Sequence, residues 1–191
     1  MQLQEDIPYN VVDIGDARYR VLSLYGRYGF IDAKVDVDSE VRDDKAFVKF
    51  SITENRQSLV GKVIYRGNLK TKAKIIDREF LLNEGDILNS EELVKIKQKL
   101  YKLGIFNEVT FEFPGSERYD GDRVVRDILV SMKEGNAGSV EISLGYGDYE
   151  QFRGAFDINY RNLGGYNRQV GLHSEISLVA KRYSFSYKEP R

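Results

Sequence analysis

Polar and apolar side chains alternate with period two through four segments between Ser139 and Lys188. In the first, Val140, Ile142, Leu144 and Tyr146 oppose Ser139, Glu141, Ser143 and Gly145. In the second, Phe152, Phe156, Ile158 and Tyr160 oppose Arg153, Asp157, Asn159 and Arg161. In the third, Val170, Leu172, Ile176 and Leu178 oppose Gln169, His173, Glu175 and Ser177; in the fourth, Tyr183, Phe185 and Tyr187 oppose Arg182, Ser184, Ser186 and Lys188. Successive strand residues point to opposite faces, so each segment predicts a strand with one oily and one wet side. Strands of roughly 9–11 residues with this pattern mark a transmembrane β-barrel. A half-buried antiparallel sheet in a soluble domain carries the same pattern.

The pattern changes upstream. Leu59 to Tyr65 reads as a strand ending at the turn signal Gly67-Asn68. Thr71 is placed to cap a helix carrying Ile76 and Phe80, broken at Asn83-Glu84-Gly85-Asp86. Asn89 and Glu92 have capping-box spacing before a second helix, whose Leu93, Ile96, Leu100 and Leu103 share one face until Gly104. Val109, Phe111 and Phe113 alternate along a strand, Gly115 to Gly121 reads as a polar loop, and Val125 to Met132 as the closing strand. The expected order is strand, helix, helix, strand, strand.

The first 55 residues repeat the later part of that order. Leu3-Gln4-Glu5 matches Leu82-Asn83-Glu84, and a helix with Ala17, Val21, Leu24, Tyr25 and Tyr28 ends at Gly29-Phe30 as the later one ends at Gly104-Ile105-Phe106. Ala33, Val35 and Val37 match Val109, Phe111 and Phe113. Val48, Phe50 and Ile52 lead into Ser51-Ile52-Thr53-Glu54-Asn55, echoed by Ser131-Met132-Lys133-Glu134-Gly135. The offset is 75 positions from Gly29 to Gly104 and 80 from Glu54 to Glu134. The first copy is therefore expected to lack its first strand and first helix.

Composition narrows the classes. Charged residues are 31% and hydrophobic ones 41% of the 191, so the chain is neither disordered nor a helical membrane protein. A net charge of −1 without a basic stripe argues against nucleic acid. The absence of cysteine excludes disulfides and thiolate metal sites. Met1-Gln2-Leu3-Gln4-Glu5-Asp6 has no signal-peptide character, which suits either a cytosolic protein or an internal piece of a longer exported chain.

Four local matches carry a family resemblance. Tyr65-Arg66-Gly67-Asn68, and Glu84-Gly85-Asp86 followed by Leu100 to Val109, resemble the turn, second helix and second strand of polypeptide-transport-associated (POTRA) domains. Gly145-Tyr146-Gly147 with Asn162-Leu163-Gly164-Gly165, and Tyr183 to Pro190 with its acidic-proline ending, resemble barrel strands of the BamA/TamA-type outer-membrane assembly superfamily. The resemblance implies an α+β chain. Residues 1–55 would be a partial POTRA module, 56–135 a complete one with a mixed three-stranded sheet covered by two helices, and 136–191 the first four or so antiparallel strands of a truncated transmembrane barrel. The family's barrel usually has sixteen strands, so both ends are expected to lie inside a longer protein.

The implied function is assembly or insertion of outer-membrane proteins, in a bacterial outer membrane with the POTRA modules in the periplasm. Implied partners are unfolded outer-membrane or secreted polypeptide clients, other assembly-complex subunits and outer-membrane lipid. The candidate client-binding edges are Asn107, Val109, Phe111 and Phe113, and Ala33, Val35 and Val37. An extended client would add to such an edge through main-chain hydrogen bonds. The alternative is that these side chains merely face their own helices. The candidate barrel seam, which in the family opens laterally, is Ser139, Val140, Ile142, Leu144, Gly145 and Gly147. The two glycines either permit bending there or mark a hairpin. Tyr146, Phe152, Tyr160, Tyr183 and Tyr187, near strand ends, are the candidate membrane-interface aromatics. A two-partner secretion pore, a soluble periplasmic adaptor and a barrel-tethered hydrolase with its catalytic domain upstream are rival readings. An isolated segment in water is expected to self-associate, lose order after about residue 137 or dock on a neighbour.

No catalytic residue, metal site or cofactor is expected. His173, the sole histidine, lies on a polar strand face as a solvated residue. Glu91-Glu92 and Glu5-Asp6 fall at helix starts, where negative charge complements the dipole. Gly145-Tyr146-Gly147 lacks the helix that a dinucleotide fingerprint needs.

Overall fold

A computed structural model describes residues 9–43, 45–115, 118–149 and 151–189. The Leu3-Gln4-Glu5 match, the Glu5-Asp6 pair, Ser116-Glu117 of the expected loop and Pro190 of the expected turn lie outside the described residues. The chain is α+β. Two compact units divide it: Met1–Ile64 with Leu82–Ile96 and Phe111–Leu129, and Tyr65–Leu81 with Lys97–Thr110 and Val130–Arg191.

In the first unit, helix α1 (Val11–Arg27) starts where the Asn10 side chain accepts the Val12 N–H. It stops where Gly29 takes φ +86°, letting the Phe30 N–H reach the Tyr25 carbonyl. Strands β1 (Lys34–Arg42) and β2 (Lys45–Thr53) form an antiparallel two-stranded sheet from Lys34↔Thr53 to Arg42↔Lys45. Ala33, expected on this strand, lies just before it, after a turn closed by the Ala33 N–H on the Phe30 carbonyl. Strand β3 (Ser58–Arg66) begins here, and Val60 bonds both Gly85 and Asp86, so the expected helix breaker is also an edge partner of β3.

The rest of the complete module comprises α2 (Ala73–Asp77), α3 (Ser90–Lys102), β4 (Phe106–Glu112), β5 (Arg118–Asp120) and β6 (Arg123–Glu134). Its sheet runs β3-β6-β4, with β5 pairing β6. The expected loop from Gly115 to Gly121 thus contains a strand. Asp120↔Arg123 pairing leaves Gly121-Asp122 as a two-residue turn, and glycine at its first position suits the φ of +60° there. Phe113 lies beyond the end of β4. Thr71 is not a helix cap. Lys72 holds that position without a side-chain bond, while the Thr71 hydroxyl serves Glu134 and Asn162. Asn89 does cap α3, accepting the Glu91 and Glu92 N–H groups; the Glu92 carboxylate turns to Lys95. At Gly67 (φ +89°) a Cβ would overlap the Met132 carbonyl oxygen, so the turn after β3 requires glycine.

Val60, Leu88, Ile96 and Ile128 of the first unit, and Ile76, Leu100, Val109 and Val130 of the second, are 1% exposed or less. The second unit continues into β7 (Gly138–Gly147), β8 (Gln151–Leu163), β9 (Arg168–Ser177) and β10 (Lys181–Lys188). They form an antiparallel sheet of order β10-β9-β8-β7. Leu178, expected on the third strand, falls in the turn after β9. No helix among the described residues is long and apolar enough to cross a membrane, which says nothing of strands.

Candidate functional site

Register turns the period-two pattern into two chemical faces. On one, five cross-strand rows stack: Tyr146–Phe152, Leu144–Gly154–Ile176–Lys181, Ile142–Phe156–Ser174–Tyr183, Val140–Ile158–Leu172–Phe185 and Gly138–Tyr160–Val170–Tyr187. The large apolar side chains among them are exposed, Leu144 to 87%, except Val170, which is half-buried. The other face carries Ser139–Asn159–Gly171–Ser186, Glu141–Asp157–His173–Ser184 and Ser143–Ala155–Glu175–Arg182. Two pairs of its polar side chains are partnered. His173 Nδ1 lies 2.6 Å from Asp157 Oδ1, and Arg182 Nη1 donates to Glu175 Oε1 at 3.2 Å. His173 is therefore a half-buried member of a polar row and not simply a solvated side chain.

Gly138 to Tyr146 spans eight strand steps, about 27 Å at ~3.4 Å per residue. At a strand tilt of about 40° the rows would stand about 21 Å high, close to the ~25 Å apolar band of a membrane barrel. Tyr146 and Phe152, with ring centroids 5.2 Å apart, close one end; Tyr160 and Tyr187 stand in the row at the other. Tyr183 does not mark an end. It lies in the third of the five rows, because β7 and β8 run on past the start of β10.

The three strands expected to offer edges lie at the ends of their sheets. β7, which holds Ser139, Val140, Ile142, Leu144, Gly145 and Gly147, pairs only β8 among the described residues. β4, with Asn107, Val109 and Phe111, ends its sheet, and β1, with Val35 and Val37, pairs only β2. Val35 and Val109 are buried, Val37 and Phe111 half-buried, and Asn107 exposed. The apolar side chains therefore turn inward, and what these edges offer is backbone. The β1 and β4 edges are each already touched by the preceding helix. Arg18 Nε donates to the Val35 carbonyl at 2.7 Å, and the Val109 N–H donates to Tyr101 Oη at 3.1 Å. Such side-chain caps satisfy groups that would otherwise template a stray strand. The sequence pattern did not single out either residue. Tyr101 stands beside Leu100 on α3 and is 39% exposed, and only the fold brings its hydroxyl to β4.

Local contacts shift several ionisable groups, Glu91 and Tyr65 among them. Glu91 is held below the usual carboxylate range by its hydrogen bond to Lys95 and the nearby Arg27 charge. Tyr65 is pushed up from the ordinary phenol value by burial and then by Asp77. No group of three or more His, Cys, Asp or Glu among the described residues is arranged to hold a metal.

Comparison with known proteins agrees with this geometry. Residues 58–135 match the POTRA family, described as a surface antigen variable number repeat. The outer membrane protein assembly factor BamA of Neorickettsia risticii (strain Illinois) is 24% identical over 194 residues, covering 100% of this chain and 25% of that protein. BamA of Nitratidesulfovibrio vulgaris is 26% identical over 193 residues, covering 98% and 24%. The chain thus spans about a quarter of the length of the curated relatives it matches. Among solved structures, BamA from Haemophilus ducreyi lacking POTRA domains 1-3 superposes with a TM-score of 0.85 at 24% identity, over 98% of this chain and 35% of that one. Residues 58–135 thus match a POTRA domain, and nearly the whole chain is similar in sequence to BamA proteins and shares the fold of the Haemophilus ducreyi BamA.

Proposed function

We propose that the full-length protein is an outer-membrane protein assembly factor that works by strand templating and not by covalent catalysis. Residues 1–55 serve as part of one POTRA module, 56–135 as a complete module, and 136–191 as the opening strands of the barrel. Clients are unfolded barrel polypeptides, met in the periplasm on the β4 and β1 edges and paired at the β7 edge within the outer membrane. Other subunits of an assembly complex are the further partners. The observation that carries this reading is the β7–β10 sheet, with five exposed apolar rows on one face and hydrogen-bonded polar rows on the other. In hydrocarbon an unpaired backbone group costs several kcal/mol, so an open β7 edge would draw in a client strand. The names of the BamA relatives favour assembly. A secretion pore would present the same sheet and edges.

The test is reconstitution of the full-length protein in liposomes with an unfolded β-barrel client. Faster appearance of folded, protease-resistant client in the bilayer is expected. Client passed across the bilayer without insertion would favour the pore, and no effect on the client would refute both.

A further inference from the structure

Three segments far apart in sequence converge within the second compact unit: the β3–α2 loop, the end of β6 and the β8–β9 turn. The Glu134 carboxylate accepts the Lys70 and Thr71 N–H groups at 3.1 and 2.7 Å and the Thr71 hydroxyl at 2.6 Å. Consecutive N–H groups aimed at one anion make a nest, and charge-assisted bonds of this kind are the strong ones. The same Thr71 oxygen accepts Asn162 Nδ2 at 2.9 Å. Asn162 Oδ1 in turn accepts the Asn167 N–H at 2.9 Å, and the Lys72 N–H donates to the Gly165 carbonyl at 3.0 Å. Thr71 is 2% exposed and Asn162 7%.

The turn is shaped for this contact. Asn162, Gly164, Gly165 and Asn167 all have φ between +59° and +82°. At Gly165 a Cβ would overlap the Lys70 carbonyl oxygen. The covalent link from β6 to β7 is short and pinned at both ends. The Gly135 N–H donates to the Ile105 carbonyl, and the Ala137 carbonyl accepts the Arg161 N–H. A pinned linker alone still allows rotation about its backbone torsions. A second attachment through a different segment removes that freedom.

We propose that Glu134, Thr71 and Asn162 form a releasable latch that holds the POTRA β3–α2 loop on the β8–β9 turn, so that displacement of the loop moves the first barrel strands. These are positioning residues; Thr71 and Asn162 are buried and Glu134 is half-buried. The inference goes beyond the assembly reading and shares with it only the assignment of residues 136–191 to a barrel. Its test uses the full-length protein in a bilayer, with spin labels at Lys74→Cys on α2 and Lys188→Cys on β10. The latched protein gives one narrow interlabel distance. Thr71→Val, which removes only the hydroxyl, and Asn162→Gly, which keeps the positive φ but deletes the amide, lose that single peak. Thr71→Ser retains it, and thermal unfolding of the barrel shows the variants are folded. Amide exchange of the unsubstituted protein is the second measurement: Lys70, Thr71, Lys72 and Asn167 should be protected together. A narrow distance that survives both Thr71→Val and Asn162→Gly, or open-loop exchange at those four amides, overturns the latch.

Discussion

The complete module and the terminal sheet both place apolar side chains at regular intervals, yet they treat the resulting face in opposite ways. In the module, helices supplied by the same stretch of chain cover the sheet, and Ile96 is 1% exposed. In the β7–β10 sheet no element among the described residues covers the rows, and Leu144 is 87% exposed. An alternating pattern therefore reports that a face will be apolar, not what will cover it. In the module the cover is protein. In the terminal sheet the proposed cover is lipid, a reading supported by the height of the rows, the aromatic residues at their ends and the polar opposite face.

The contrast is broken most forcefully by truncation. Ile96→Ala should cost about 2–5 kcal/mol of module stability in denaturant unfolding, because it empties a packed site. Leu144→Ala in an aqueous segment should change stability little, since there is no packing to lose. A bilayer reverses that ranking. Ile142→Arg in the full-length protein, in the middle of the five rows, should cost about 2–4 kcal/mol near the bilayer midplane, whereas Ser143→Arg, one residue away on the polar face, should be tolerated. Equal costs for the two arginines, read from refolding titrations in lipid, would erase the distinction between faces.

Edges sharpen the comparison on a smaller scale. Tyr101→Phe removes one hydrogen bond from β4, worth about 1 kcal/mol. Amide exchange at Val109 should accelerate, and an extended client peptide should bind that edge more readily. Unchanged exchange would mean the hydroxyl does not cap the strand. The smallest effect concerns pH within the first unit, where Arg27 and Lys95 both contact Glu91. The depressed Glu91 carboxyl stabilises the fold above its unfolded-state pKa, and that contribution is lost as pH falls through the lower folded value. Glu91→Gln should flatten the acid limb of the stability profile below about pH 4.3, the ordinary glutamate value. Because Glu91 is exposed, an acid limb identical to that of the unsubstituted protein would show the pair contributes nothing.

Local signals were the legible ones. Helix α3 could be read from Asn89, the Leu93–Ile96–Leu100 stripe and Gly104, and β7 to β10 from their alternation. The β5 hairpin is hidden because its short strand and its Gly121-Asp122 turn sit in one polar stretch without apolar alternation. Phe113 and Ala33 were assigned to strands on alternation alone, and turns end those strands sooner. The edge caps Arg18 and Tyr101 and the Thr71–Glu134–Asn162 cluster were illegible for a different reason. Each depends on contacts across 8 to 91 positions, and no short-range rule links a threonine after one strand to an asparagine in a later hairpin.

The central claim is that the β7–β10 sheet borders lipid on one face and water on the other. Its most direct test is a single-cysteine scan of β7, from Ser139 to Tyr146, in the full-length protein in bilayers, with a fluorophore at each site and quenchers confined to lipid or to water. Lipid quenching should peak at 140, 142, 144 and 146 and aqueous quenching at 139, 141, 143 and 145. Quenching without that period-two alternation, or alternation of the opposite phase, would contradict the account.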